Sequence, residues 1–170
     1  MDRRLRPARG HVFEEEKAAF RCEMKNHNRK TKVLFICIGN MCRSPMAEGF
    51  AREHGSDAVE PYSAGIHPTG VVSEDAILVM EEKGVDISGQ HSRGLDDVPL
   101  DEIDIAVSMT GYPAKDLLPS GFRGRTVDWD IDDPIGQPLS TFRQVRDEIE
   151  EKVMGLLEEI RKAHFYSPKI

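Results

Sequence analysis

The sequence predicts an α/β domain, a single four-stranded parallel sheet flanked by helices. Three observations carry this. Short apolar runs bounded by turn residues alternate with stretches of helical periodicity, the pattern of strand–helix–strand units. The run Val33–Ile36 stops at Gly39-Asn40, two residues that tolerate positive φ, and a helix starts at once. The chain closes on a long amphipathic stretch in which Phe142, Val145, Ile149, Val153, Leu156, Leu157 and Ile160 recur at spacings of three and four.

Residues 1–30 do not resemble the rest. Arg3, Arg4, Arg6 and Arg9 make a basic start, and Phe13, Phe20 and Met24 fit one face of a short helix. A docking or targeting arm is one reading. The preferred one is a poorly ordered extension, or a start placed upstream of Met24. The folded domain is expected over 31–165, with 166–170 as a tail. Its first strand is Val33–Ile36, long enough to be buried. Ser44 is expected to cap the helix that follows, with Pro45 as its first residue, since that N–H has no intrahelical partner. Met46, Ala47 and Phe50 keep helical spacing, and His54-Gly55 is the expected stop. Val59–Ser63 reads as the second strand. Ser73, followed by Glu74 and Asp75, opens a helix that Gly84 ends. Asp86–Gly94 is a polar loop and Leu95–Leu100 a short helical turn. Ile103–Met109 and Thr126–Trp129 are the third and fourth strands, Asp130–Pro138 is a loop, and Ser140 is expected to cap the last helix.

Composition narrows the function. A chain of 170 residues with 39% hydrophobic and 31% charged residues fits one soluble globular domain. The longest apolar run is too short to span a membrane, and no secretory signal is visible. Three cysteines, Cys22, Cys37 and Cys42, are no disulfide framework, so a reducing cytoplasm is expected. No Cys/His spacing suggests a metal. Residues 1–30 hold nine Lys/Arg and five Asp/Glu, whereas 31–170 hold 14 and 25. A body with a net charge of −11 argues against nucleic acid. Attraction for an anion must then be local.

The local source is the loop. A strand, a tight turn and a helix N-terminus converge several backbone N–H groups, which makes an anion site. Cys37 opens this loop and Arg43 closes it, five residues apart. Such surroundings favour a thiolate, and the guanidinium offers two parallel donors to a tetrahedral oxyanion. The loop, Ile38, Gly39, Asn40, Met41, Cys42, Arg43 and Ser44, would hold a phosphate and aim Cys37 at phosphorus. Ser44 is placed to donate to the departing thiolate. A buried structural cysteine is the competing reading. A Walker loop is excluded, since no Gly-Lys-Ser/Thr follows. The leaving oxygen needs an acid. The loop after the fourth strand offers Asp128, Asp130, Asp132 and Asp133, and Asp133, stiffened by Pro134, is the choice. An ordinary Asp-Pro turn is the alternative.

The stretch Val33-Leu34-Phe35-Ile36-Cys37-Ile38-Gly39-Asn40-Met41-Cys42-Arg43-Ser44-Pro45-Met46-Ala47-Glu48 resembles the signature of the low-molecular-weight protein tyrosine phosphatases. The similarity continues through Tyr62-Ser63-Ala64-Gly65 and Gly84-Val85-Asp86-Ile87-Ser88-Gly89 to Asp133-Pro134. The resemblance implies Cys37 as nucleophile, Arg43 as phosphate clamp, Asp133 as general acid and Ser44 as the hydroxyl near the thiolate. Asn40 and Ser63 would fix the loop's shape. Cys42 matches a second loop cysteine that forms a reversible disulfide with the nucleophile. No metal and no cofactor are implied, and the substrate would be a phosphorylated protein or a small aryl phosphate.

Thioredoxin-coupled arsenate reductases share this fold and loop, and Asp86-Ile87-Ser88-Gly89-Gln90, Trp129-Asp130-Ile131-Asp132-Asp133-Pro134 and Phe142–Ile149 look more like that branch. The phosphatases often carry a histidine where Gln90 stands, His91 being displaced by one, and aromatics where Ile135-Gly136 follow the Asp-Pro. Reduction of arsenate takes two electrons, which that family draws from two further cysteines after the third strand. Thr110 stands where the first would be, and no cysteine follows Cys42. The expectation is therefore a cysteine-dependent phosphomonoesterase. A reductase with an unusual thiol source, including a separate thiol reductant, and a phosphate-binding module without turnover are the rivals.

Overall fold

A computed structural model describes residues 29–166. The expectations for residues 1–28, Cys22 among them, and for the tail beyond Tyr166 lie outside the described residues. The elements are β1 (Thr31–Cys37), α1 (Arg43–Gly55), β2 (Val59–Gly65), α2 (Glu74–Glu81), β3 (Ile105–Ser108), α3 (Ala114–Leu117), β4 (Arg125–Asp128) and α4 (Leu139–Phe165), with two single 3₁₀ turns at Leu95–Asp97 and Leu100–Glu102. All four strands are parallel, in the order β2-β1-β3-β4. The chain is thus the expected α/β domain.

Alternation along β1 sorts its side chains into two cores. Val33 and Phe35 join Met46 and Phe50 of α1, Val79 and Met80 of α2, and the apolar stripe of α4. Leu34 and Ile36 face the opposite side with Ala106, Val98, Ile103 and Leu118. That side carries no long helix; the two 3₁₀ turns and the four-residue α3 cover it. Pro61 is tolerated because β2 is an edge strand.

Two helix starts differ from expectation. Helix α1 begins at Arg43, and neither Ser44 nor any other side chain caps it; Pro45 is its third residue, still within the first turn where an N–H has no partner. The Ser44 hydroxyl is engaged by Cys37 and Asn40 instead. Helix α4 starts at Leu139 behind Pro138, so Ser140 lies inside it rather than capping it. Gly84 does end α2's region, at φ +73°. Sheet register aligns Cys37 with Gly65, Ile36 with Ser108, and Ser108 with Asp128. These carboxyl ends form one edge, the place where parallel sheets bind ligands.

Candidate active site

Cys37 ends β1, buried, with its Sγ 3.0 Å from Ser44 Oγ. Asn40 Nδ2 donates to that same hydroxyl at 2.8 Å. With Asn40 donating to its oxygen, the Ser44 hydroxyl has two acceptors for its hydrogen, the sulfur at 3.0 Å and the Ala64 carbonyl at 3.5 Å. Asn40 holds φ 48°, the single described non-glycine residue at positive φ. Its Oδ1 accepts from the Arg93 backbone N–H at 2.8 Å. Ser44 and Asn40 are both fully buried.

Arg43 is buried, and its guanidinium is tied down on two sides. One terminal nitrogen donates to the carbonyls of Met109 (2.6 Å) and Ile131 (3.0 Å). The other donates to Asp133 Oδ2 at 2.7 Å. The ends of β3 and the loop after β4 therefore set the plane of the clamp. Asp133 stays 45% exposed, and its Oδ1 accepts from the Ile135 N–H at 3.2 Å, which holds the carboxylate toward the site. A cleft of about 230 Å³ collects Cys37, Ile38, Gly39, Met41, Cys42, Arg43, His67, Thr69, Asp133 and Ile135. Of the four candidate aspartates, only Asp133 lines it. Asp128 Oδ1 accepts from Ala114 N at 2.7 Å and caps α3.

Cys42 is buried against the same cleft. Burial pushes its thiol up to about 12; the charges of Cys37 and Asp133 add to this, while Ser73 and Arg43 act the other way. Cys42 is therefore a neutral thiol beside Cys37. Ser63 is buried one layer behind the loop. Its hydroxyl donates to the buried carboxylate of Glu48, which also pairs with Arg52 and, at 3.5 Å, with Arg93. It reaches the loop only through Arg93 and Asn40. The site is also held by Ser92, which the sequence did not single out and which donates to the Gly39 carbonyl at 2.8 Å, and by Gln90, whose Nε2 donates to the Pro45 carbonyl at 3.2 Å. Gln90 takes that place while His91 is exposed. Polar loop residues some 50 positions away carry no local signal for such contacts. Thr110, the position of the missing relay cysteine, makes a local turn with Ser108 and Tyr112.

The arrangement presents a cysteine sulfur, a fixed guanidinium and a carboxyl group around one small cleft. The family described as low molecular weight phosphotyrosine protein phosphatase matches residues 32–165. The chain is 39% identical over 136 residues to a glutaredoxin arsenate reductase of Synechocystis, covering 76% of this chain and 98% of that one. Among solved structures, an arsenate reductase in the phosphate-binding state superposes with a TM-score of 0.71 at 39% identity, covering 76% of this chain and 98% of that one. An arginine phosphatase from Geobacillus stearothermophilus superposes with a TM-score of 0.72 at 29% identity, covering 82% and 99%. With one family spanning nearly the whole described domain, the chain belongs to the low molecular weight phosphotyrosine protein phosphatase family.

Proposed function

We propose that the chain is a phosphomonoesterase acting on aryl phosphates, phosphotyrosine among them, through a phosphocysteine intermediate. The observation that carries this is the joint placement of Cys37, Arg43 and Asp133 around one cleft. Arg43 and the loop N–H groups hold the phosphoryl oxygens, and Cys37 Sγ attacks phosphorus in line with the leaving oxygen. The incoming oxygens take over the guanidinium nitrogen that Asp133 holds in the free protein. Protonated Asp133 then gives its proton to the leaving oxygen. As a carboxylate it next activates water, which releases phosphate from Cys37. The Ser44 hydroxyl stabilises the sulfur as it departs.

Arsenate reduction is the second reading, favoured by the activity named for relatives aligned over nearly their full length. Arsenate is a tetrahedral oxyanion of the same shape. Its reduction needs two thiol electrons, and beyond Cys37 the chain offers only Cys42 and Cys22. A separate dithiol protein or small thiol would have to serve.

The deciding experiment measures kcat/KM for a series of aryl phosphates, with a parallel arm scoring arsenite formed from arsenate plus glutaredoxin or thioredoxin. Cys37→Ser is expected to abolish hydrolysis. Asp133→Asn should lower kcat/KM by about 10²–10⁴ for leaving groups of high pKa, the usual worth of general acid catalysis, and by much less for those of low pKa. An equal loss for both classes removes Asp133 as the acid. Sustained arsenite formation without aryl phosphate turnover replaces the first reading by the second.

A further inference from the structure

The Gly39 carbonyl is gripped more heavily than any other in the loop. It accepts from Ser92 Oγ at 2.8 Å and from Thr69 N at 3.2 Å, and Thr69 Oγ1 lies 3.4 Å away with its one hydrogen shared with the nearer Val71 carbonyl at 3.0 Å. Ser92 Oγ also accepts from Thr69 N, at 3.0 Å. The next residue is held as well, since Arg93 N donates to Asn40 Oδ1. None of these bonds takes part in phosphoryl transfer.

An anion loop works by turning N–H groups toward the anion and carbonyls elsewhere. The peptide between Gly39 and Asn40 is where that order is weakest. Glycine has no Cβ to resist rotation, and asparagine tolerates the left-handed region it occupies at φ 48°. A carbonyl rotated into the cleft would set its lone pairs against an oxyanion. Ser92, which lies outside the cleft lining, makes the shortest of the bonds that hold this oxygen.

We propose that Ser92 is a positioning residue for the anion site. Its hydroxyl latches the Gly39 carbonyl on the Thr69–Ser92 side of the loop and so keeps the loop in its anion-binding shape. The inference rests on the proposed function only for its turnover readout.

The test titrates inorganic phosphate into the full chain by NMR and measures kcat/KM alongside, for wild type, Ser92→Ala, Ser92→Thr and the exposed neighbour His91→Ala. Ser92→Ala should weaken phosphate binding and lower kcat/KM by about tenfold each, the usual worth of one such hydrogen bond. Ser92→Thr keeps the hydroxyl and should restore both, and His91→Ala should match wild type. A merely structural role would lower the melting temperature and leave the phosphate affinity of the folded protein unchanged. That result, or an equal loss in Ser92→Thr, overturns the proposal. Should Ser92→Ala fold poorly, Ser92→Thr decides alone, because a tenfold weakening despite the hydroxyl is fatal. A wild type that binds phosphate without turnover refutes the proposed function and leaves this test intact.

Discussion

Cys42 shows how burial sets the role of a single residue. Its sulfur shares a cleft with Cys37, yet burial holds the thiol neutral far above the ordinary thiol range. A neutral neighbour adds no negative charge to a site built for anions. The same shift ties stability to pH. Where the folded thiol keeps a proton that the unfolded chain gives up, stability falls as pH rises. For Cys42 that window opens at its ordinary value of 9.0 and closes near 12. Urea unfolding of wild type and Cys42→Ala across this range should give curves that converge, wild type losing more. Parallel curves would mean that the thiol is not shifted. The meeting of Cys37 and Arg43 at one cleft was legible in the sequence because their spacing puts them at the two ends of one short loop. The neutrality of Cys42 was not, since burial depends on what α1 packs against.

The end of β2 meets the loop in a close approach as well as in hydrogen bonds, His67 N donating to the Ile38 carbonyl at 2.8 Å. A Cβ built on Gly65 would lie 2.7 Å from Asn40 N and 2.7 Å from the Ile38 carbonyl oxygen, both backbone atoms of the loop. Gly65 pairs with Cys37 across the sheet, so neither strand can step aside. Gly65→Ala is expected to displace the loop, weakening phosphate binding and lowering kcat/KM by about 10²-fold, in line with the known cost of a 1 Å misplacement at an active site. Far-UV circular dichroism should stay native. Unchanged phosphate affinity would show that the loop yields without harm. All four strands and the three longer helices could be read from alternation, periodicity and punctuation. Short α3 could not, because four residues make no period. The two serine caps were misread for a physical reason as well. A hydroxyl beside a helix start caps it only when nothing else competes, and at Ser44 Cys37 and Asn40 do.

Over the whole molecule, charge works against the chemistry. Residues 31–170 carry a net charge of −11, so the long-range field repels the phosphate dianion that the proposed function requires the cleft to hold. Raising KCl from about 20 to about 200 mM shortens the reach of that field. The expected outcome is a kcat/KM for a dianionic aryl phosphate that stays level or rises. A steep fall would reveal a steering patch that the net charge hides. Arg43 has a last consequence, one that concerns how the molecule is made. Its side chain is completed by Met109, Ile131 and Asp133, which follow it by 66, 88 and 90 residues. During synthesis the residues of the loop and of α1 are made long before the partners that square the guanidinium. The atoms that square the guanidinium are thus among the last to be made, and the geometry around Arg43 can close only when β4 and the turn behind it have arrived.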